Sequence, residues 1–264
     1  LSPNPNTIAA SEAFGVDLTA LMMENAIPAI GALIVTVVLA TMLCKTGKDT
    51  IPAAEDTREK NTLPGFMAAF AGPLVVIVLL ALRPICGISI DPLIALPVGG
   101  LICVLMTGNV KEVREITEFG LSKVIGVSIL LIGTGTIAGV IKASEIKDVL
   151  INLLSGWEGG GVIMAPLSSM LMSAATASTT AGATIASASF AQTVLGAGVA
   201  AVWAAAMTNA GATVLDHLPH GSFFHATGGS VGMSIKERMK LIPYETLVGF
   251  ILTLLSLASY FIIA

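Results

Sequence analysis

Residues 159–215, GGGVIMAPLSSMLMSAATASTTAGATIASASFAQTVLGAGVAAVWAAAMTNAGATVL, contain no aspartate, glutamate, lysine, arginine or histidine. Eleven serine or threonine residues nevertheless fall between positions 168 and 193. A soluble domain of this length needs charge on its water-facing surfaces, whereas membrane helices are apolar outside and pack through small and hydroxyl-bearing residues inside. The stretch therefore predicts an all-α integral membrane protein with several spans.

The overall composition agrees with this prediction. Hydrophobic residues make up 55% of the chain and charged residues only 11%, against roughly 25% charged in soluble domains. The net charge is −4 and no basic patch is interleaved with aromatic residues, which argues against a nucleic-acid partner. No H-E-x-x-H motif occurs, and we expect a protein that is not an enzyme and needs no cofactor.

Apolar runs divide the chain into three expected regions. The runs cover residues 26–44, 65–82, 92–107, 121–141, 162–194, 198–214 and 242–264. Residues 1–107 are expected to form a connector and scaffold-like transmembrane helices. Residues 108–241 are expected to form the transport region, beginning with an amphipathic interfacial helix. Residues 242–264 form the final span.

Two apolar runs are interrupted by glycine, serine and threonine. The motif GTGTIAG at 133–139 predicts the tip of a re-entrant helical hairpin over 121–154, and SAATASTTAGAT at 173–184 predicts a broken transmembrane helix. Interrupted helices place their partially charged ends at substrates and ions in transporters. The alternative is that small residues merely let helices approach closely. The candidate substrate-binding residues at the two interruptions are Gly133, Thr134, Gly135, Thr136, Ser178, Thr179 and Thr180.

The segment NAGATVLDHLPHGSFFHATGG holds all three histidines of the chain. An ionisable group at the end of a membrane helix is a candidate proton carrier, and histidine binds and releases protons near neutral pH. We therefore assign proton coupling to Asp216, His217 and His220, and Asn209 could present an amide to the substrate. Two alternatives stay open: a solvated loop, and a zinc site, which the flexible glycine-rich spacing disfavours. No metal is predicted.

These motifs together resemble the gluconate permease family, within the ion-transporter superfamily of elevator-type carriers. The resemblance covers roughly residues 110–264 through GTGTIAGVIKAS, AATASTTAGAT and TNAGATVLDHLPHGSFF, with Asp216, Gly221 and Phe223 fitting the last element. It implies import of sugar acids or short hydroxycarboxylates with protons, by movement of a transport bundle against a scaffold. The sequence departs from the family pattern at one point: the family's usual His-x-Asn-Asp order is replaced here by Asp216-His217, and Asn209 lies further upstream.

The leading expectation is a proton-coupled symporter for a small organic anion in the inner membrane, with a homodimer as a further expectation. No lysine or arginine lies between Lys147 and Lys236, so helix ends and hydroxyls would have to recognise the anion. Sodium coupling and cation/proton antiport are alternatives, because hydroxyls and unwound carbonyls also bind Na⁺. An intramembrane metalloenzyme using Asp216 and the histidines is a remote one.

Overall fold

The computed structural model describes residues 3–44, 64–88, 90–145, 148–149, 152–153 and 159–264. These residues contain helices and no β-strand, so the expected all-helical class is confirmed for them. The helices are α1 (Pro5–Phe14), α2 (Leu18–Glu24), α3 (Ala26–Leu43), α4 (Phe66–Cys86), α5 (Pro92–Thr107), α6 (Val113–Ala143), α7 (Gly160–Thr176), α8 (Thr179–Gly196), α9 (Ala201–Gly211), α10 (Ser222–Ser230), α11 (Ile235–Met239) and α12 (Ile242–Ile263).

The chain forms two compact units. One comprises residues 1–50 and 130–264, and the other comprises residues 51–129. In the smaller unit α4 packs on α5, where Gly72 and Gly99 let the two backbones touch. A Cβ atom on Gly72 would lie 2.8 Å from the Gly99 carbonyl oxygen, so only glycine fits this crossing.

Small residues let several helices of the larger unit approach one another closely. Helices α1, α7, α8 and α9 pack against one another, and Ala204, Ala205 and Ala206 of α9 are fully buried. Gly211 at the end of α9 lies so close to α7 that a Cβ atom there would meet the Pro166 carbonyl oxygen at 2.2 Å. At these positions the helices approach closely enough for polar groups to meet across their interfaces, while Ile185, Phe190 and Met207 fill other parts of the core.

Helices α7 and α8 form an antiparallel hairpin. Gly161 lies against Ala197 at its base, and Gly182 lies against Ser173 near its tip. The turn is made by Ala177, in the left-handed region at φ 45°, and by the extended Ser178. The interruption predicted within 173–184 is therefore confirmed, but as a reversal of the chain and not as an unwound section of one spanning helix.

The hairpin predicted around 133–139 is wrong, because α6 is continuous from Val113 to Ala143. A glycine makes a helix less stable than alanine by only about 1 kcal/mol. Breaking the helix at these glycines would cost more, because a set of backbone hydrogen bonds would be lost. Thr136 donates its hydroxyl to the Ile132 carbonyl of the same helix at 3.3 Å. The expected interfacial helix is also absorbed into α6, after a 3₁₀ turn at Val110–Glu112. The second hairpin arm, 146–154, lies largely outside the described residues.

Apolar side chains cover the outer faces of several helices. On α3, Ile30, Leu33, Ile34 and Val37 are all exposed. Two stretches of the described chain, Ala26–Leu43 and Ile235–Ile263, are long and apolar enough to cross a membrane, and three shorter apolar helices lie at Phe66–Leu82, Pro92–Thr107 and Gly160–Thr176. Continuous apolar faces of this kind require lipid or another protein to cover them.

Candidate functional site

The tip of the α7–α8 hairpin brings two helix ends together. The Ser178 side chain caps α8 by accepting a hydrogen bond from the Ala181 N–H at 3.3 Å. The Thr176 hydroxyl donates to the Met172 carbonyl at 2.8 Å, at the last turn of α7. The tip therefore holds the partially negative end of α7 and the partially positive end of α8 beside each other. Such a pair of ends can attract a cation and an anion at neighbouring positions.

A carboxylate already occupies the positive end of α8. Asp216, in the loop after α9, accepts a hydrogen bond from the hydroxyl of Thr179, the first residue of α8. The same loop returns to the tip at Gly221, where a Cβ atom would lie 2.3 Å from the Ala177 carbonyl oxygen. Glycine at this position lets the loop backbone touch the tip. The two contacts fix the Asp216 carboxylate against the first turn of α8.

His217 extends this contact into a chain of polar groups. Its side chain is only 2% exposed. Nδ1 lies 3.1 Å from Asp216 Oδ1, and Nε2 lies 2.9 Å from the Thr246 hydroxyl on α12. Hydrogen bonds from Thr179 to Asp216, His217 and Thr246 in turn therefore link the hairpin to the last helix. Because carboxylate, imidazole and hydroxyl groups all exchange protons, this chain can pass a proton between the two elements.

An ion pair joins α11 to the first turn of α12, one residue before Thr246. Arg238 is buried and donates to both carboxylate oxygens of Glu245 at 2.7 and 2.8 Å. Its Nε donates to the Thr227 hydroxyl at 3.1 Å, and its guanidinium carbon lies 5.0 Å from the Phe224 ring centre. These partners compensate the buried positive charge of Arg238 within the protein. This pair was not predicted, because its only signs in the sequence are a basic loop and an acidic residue in the helical turn that follows.

The other predicted residues have separate surroundings. Thr180 donates to the Asn6 side chain at 3.2 Å, which fastens α1 to the hairpin. Both polar side-chain atoms of Asn209 are buried and have no hydrogen-bond partner among the described residues. His220 is exposed at the end of the loop. Nothing in the described contacts brings residues 133–136 of α6 to the hairpin tip, and their part in substrate binding stays a prediction.

A groove opens beside Asp216 and His217. It is bounded by α3, by the loop after α9 and by α12, and it has a volume of about 480 Å³. Its walls are mostly apolar, and Asp216, His217 and Glu245 are among the residues that line it. No group of three or more histidine, cysteine, aspartate or glutamate side chains suited to a metal occurs within the described ranges.

The pattern G-x-S-x-G occurs once in this region, at residues 228–232. In hydrolases this pattern holds a nucleophilic serine on a sharp strand-to-helix turn. Here Ser230 is the last residue of α10, and its hydroxyl donates to the Thr227 carbonyl at 2.8 Å. The position and the bond give Ser230 the role of a helix-end residue and not that of a nucleophile.

Comparison with known proteins points to transport. The model of the Na⁺-H⁺ antiporter family matches residues 67–157. A protein named "Uncharacterized transporter" from Haemophilus influenzae is 51% identical over 259 residues, which are 97% of this chain and 61% of that protein. This chain resembles a transporter over nearly its whole length. It spans about three fifths of that relative, and no solved structure matches it. The matches support a transporter family, but not the gluconate permease family in particular.

Proposed function

We propose that the protein is a secondary transporter of the cell membrane that imports a small organic anion together with protons. Three observations support the proposal: the transporter relative, the apolar outer helix faces, and the polar site at the hairpin tip. The anion belongs to the class of gluconate and other short hydroxycarboxylates. Movement of residues 108–241 against residues 1–107, the inner-membrane location and a homodimer remain predictions.

The observation that carries the proposal is the Asp216 carboxylate at the first turn of α8. A helix N-terminus favours a negative charge, and here the carboxylate bonds to the Thr179 hydroxyl of the first turn and to the His217 imidazole. Protonation of Asp216 removes its charge and releases the helix end for the carboxylate of a substrate. Proton and anion therefore bind together, which is the requirement of symport.

Each residue of the site has a proposed role in this cycle. Thr179 and the capping Ser178 present hydroxyls to the substrate, and the unpartnered Asn209 supplies an amide. Asp216 holds the coupling proton, and His217 passes it towards Thr246. Thr180, which binds Asn6, positions the hairpin, and the exposed His220 exchanges protons with water.

Cation/proton exchange is the second candidate function, and the antiporter family match favours it. The Asp216 carboxylate, the Thr179 hydroxyl and the negative end of α7 supply oxygen atoms of the kind that bind Na⁺. In that cycle Na⁺ and a proton compete for Asp216. A sodium-coupled carboxylate transporter would use the same groups together with a bound anion.

Transport by reconstituted protein tests these functions. Proteoliposomes receive labelled gluconate, glycerate or 3-hydroxybutyrate with and without an inward proton gradient, in sodium-free and sodium-containing buffer. We expect gradient-dependent accumulation of at least one anion without sodium, and the absence of accumulation for all organic anions would refute symport. A pH-sensitive dye inside the vesicles reports the alternative: proton efflux caused by external sodium, in the absence of any organic anion, would establish exchange.

A further inference from the structure

A second cavity, lined by alanines and four polar residues, lies between α1 and α8, away from the groove beside Asp216. It has a volume of about 410 Å³. Its walls are made by Ala9, Glu12 and Ala13 of α1 and by Thr184, Ser187, Ala188, Ala191 and Gln192 of α8. Glu12 and Gln192 are exposed, so they form the open end. We call this cavity the α1–α8 crevice.

The floor of the α1–α8 crevice carries two unsatisfied hydroxyls. The Oγ atoms of Thr184 and Ser187 are buried and have no hydrogen-bond partner among the described residues. The Ser187 residue is only 1% exposed. Buried polar atoms normally have a partner. In this conformation both Oγ atoms lie beneath the lining of the crevice, out of contact with water in it. A change of side-chain rotamer towards the crevice would let water there bond to either hydroxyl.

The α1–α8 crevice leads along α8 towards the hairpin tip. Thr180, Thr184 and Ser187 lie one helical turn apart on the face of α8 that packs on α1. Thr180 is hydrogen-bonded to Asn6, and the neighbouring Thr179 is bonded to Asp216. The crevice therefore begins at Glu12 and ends one turn from the residues of the tip.

We propose that the α1–α8 crevice is a hydrated path that admits protons and other small cations, and excludes anions, on the way to the hairpin tip. The wall at its mouth carries a carboxylate, Glu12, and no lysine, arginine or histidine lines it. A single sign of charge at the entrance of a narrow cavity raises the local concentration of ions of the opposite sign. The path to the tip rests on the proposed function, whereas the hydration and charge selectivity do not.

Cysteine labelling of the folded, detergent-solubilised protein tests the path without any need for transport. In a background lacking Cys44, Cys86 and Cys103, Ala188→Cys places a thiol in the α1–α8 crevice. The probes are two methanethiosulfonates, one with a trimethylammonium group and one with a sulfonate group. Because a thiolate itself reacts faster with the cationic reagent, the ratio of the two rates is divided by the same ratio for 2-mercaptoethanol in solution. We expect this normalised ratio to be at least about ten at Ala188→Cys and to fall to about one when Glu12→Gln is added in the same background.

Two control positions define the limits of the measurement. Ala205→Cys lies in the fully buried core and is expected to react with neither reagent. Ile34→Cys places a thiol on the apolar outer face of α3, outside the crevice, for comparison. Ala13→Cys, on the α1 wall, replaces Ala188→Cys if that variant does not fold. Reaction at the crevice as slow as at Ala205→Cys would overturn hydration, and a normalised rate ratio of about one at Ala188→Cys would overturn cation selectivity. Either result leaves the transport assays unaffected.

Discussion

Gly182 is the residue where α8 approaches α7 most closely near the hairpin tip. A Cβ atom on Gly182 would lie 2.6 Å from Ser173 Cβ and 2.7 Å from both Ser173 Cα and N. Ordinary contacts begin at 3.4 Å, so the added methyl is about 0.8 Å too close. Because two of these atoms are backbone, a change of side-chain rotamer does not relieve the overlap. The helices must separate.

The expected cost of Gly182→Ala follows from two opposing terms. Overpacking a close contact costs about 1–3 kcal/mol, and the backbone partners favour the upper part of this range. Replacing glycine in a helix by alanine returns about 1 kcal/mol. The net loss is about 1–2 kcal/mol, which corresponds to a decrease in Tm of about 2–8 °C for a chain of this size.

Thermal unfolding of the detergent-solubilised variants checks this expectation. Gly196→Ala is the matched control, because it lies at the other end of α8 and a Cβ atom there has no neighbour within 4 Å. We expect its Tm to be unchanged or slightly higher. Because separation at Gly182 also moves Thr179, Gly182→Ala is expected to slow transport more than the control. A Tm for Gly182→Ala equal to that of Gly196→Ala would refute the close packing of the hairpin.

Two further variants test the contacts of the site. Thr179→Val keeps the side-chain volume but removes a hydrogen bond to a carboxylate, of about 1.5–3 kcal/mol, so we expect a Tm lower by about 3–12 °C and, per folded protein, transport at least about tenfold slower. Thr176→Val, whose hydroxyl bonds to the Met172 carbonyl of its own helix, is expected to transport normally. Arg238→Gln breaks the buried ion pair and is expected to lower the unfolding free energy by about 2–4 kcal/mol in denaturant titration, a little less than for a fully buried pair, because its carboxylate partner is 31% exposed. Arg114→Gln, in an exposed pair, is expected to cost less than about 1 kcal/mol. Equal effects of either variant and its control would contradict the assigned contacts.

The sequence predicted the helical class and the position of one interruption correctly. The lack of charge in 159–215 was sufficient to predict the helical class, and the serine and threonine residues near 178 were sufficient to predict the interruption. Whether the interruption reverses the chain depends on the left-handed Ala177 and on the fit of Gly182 to Ser173. Neither is a periodic feature of the sequence, which is why the α7–α8 hairpin was predicted as an interrupted span.

The second interruption was predicted wrongly because propensity is a weak guide inside an apolar helix. The glycines at 133, 135 and 139 lower helix propensity, but α6 keeps its backbone hydrogen bonds through them. Where backbone groups cannot bond to water, each lost hydrogen bond costs more than a glycine does. Both segments are rich in glycine, serine or threonine, but the helix ends only at the one around residue 177 and continues through residue 133.

The site residues were predictable by type but not by partner. Asp216 and His217 were found because they are ionisable groups after a charge-free run. The partner of His217 is Thr246, 29 residues away, and that of Thr180 is Asn6, 174 residues away. Contacts over such separations depend on tertiary packing, which a single sequence does not specify.

Asp216→Asn in proteoliposomes tests the central claim, that a proton on Asp216 drives accumulation of the anion. The variant keeps the shape of the side chain and its position near Thr179, but it cannot release a proton. Exchange of labelled for unlabelled anion at equal pH and accumulation under an inward proton gradient are measured on the same vesicles. Exchange is expected to persist and accumulation to be lost. Full gradient-driven accumulation by Asp216→Asn would contradict the central claim.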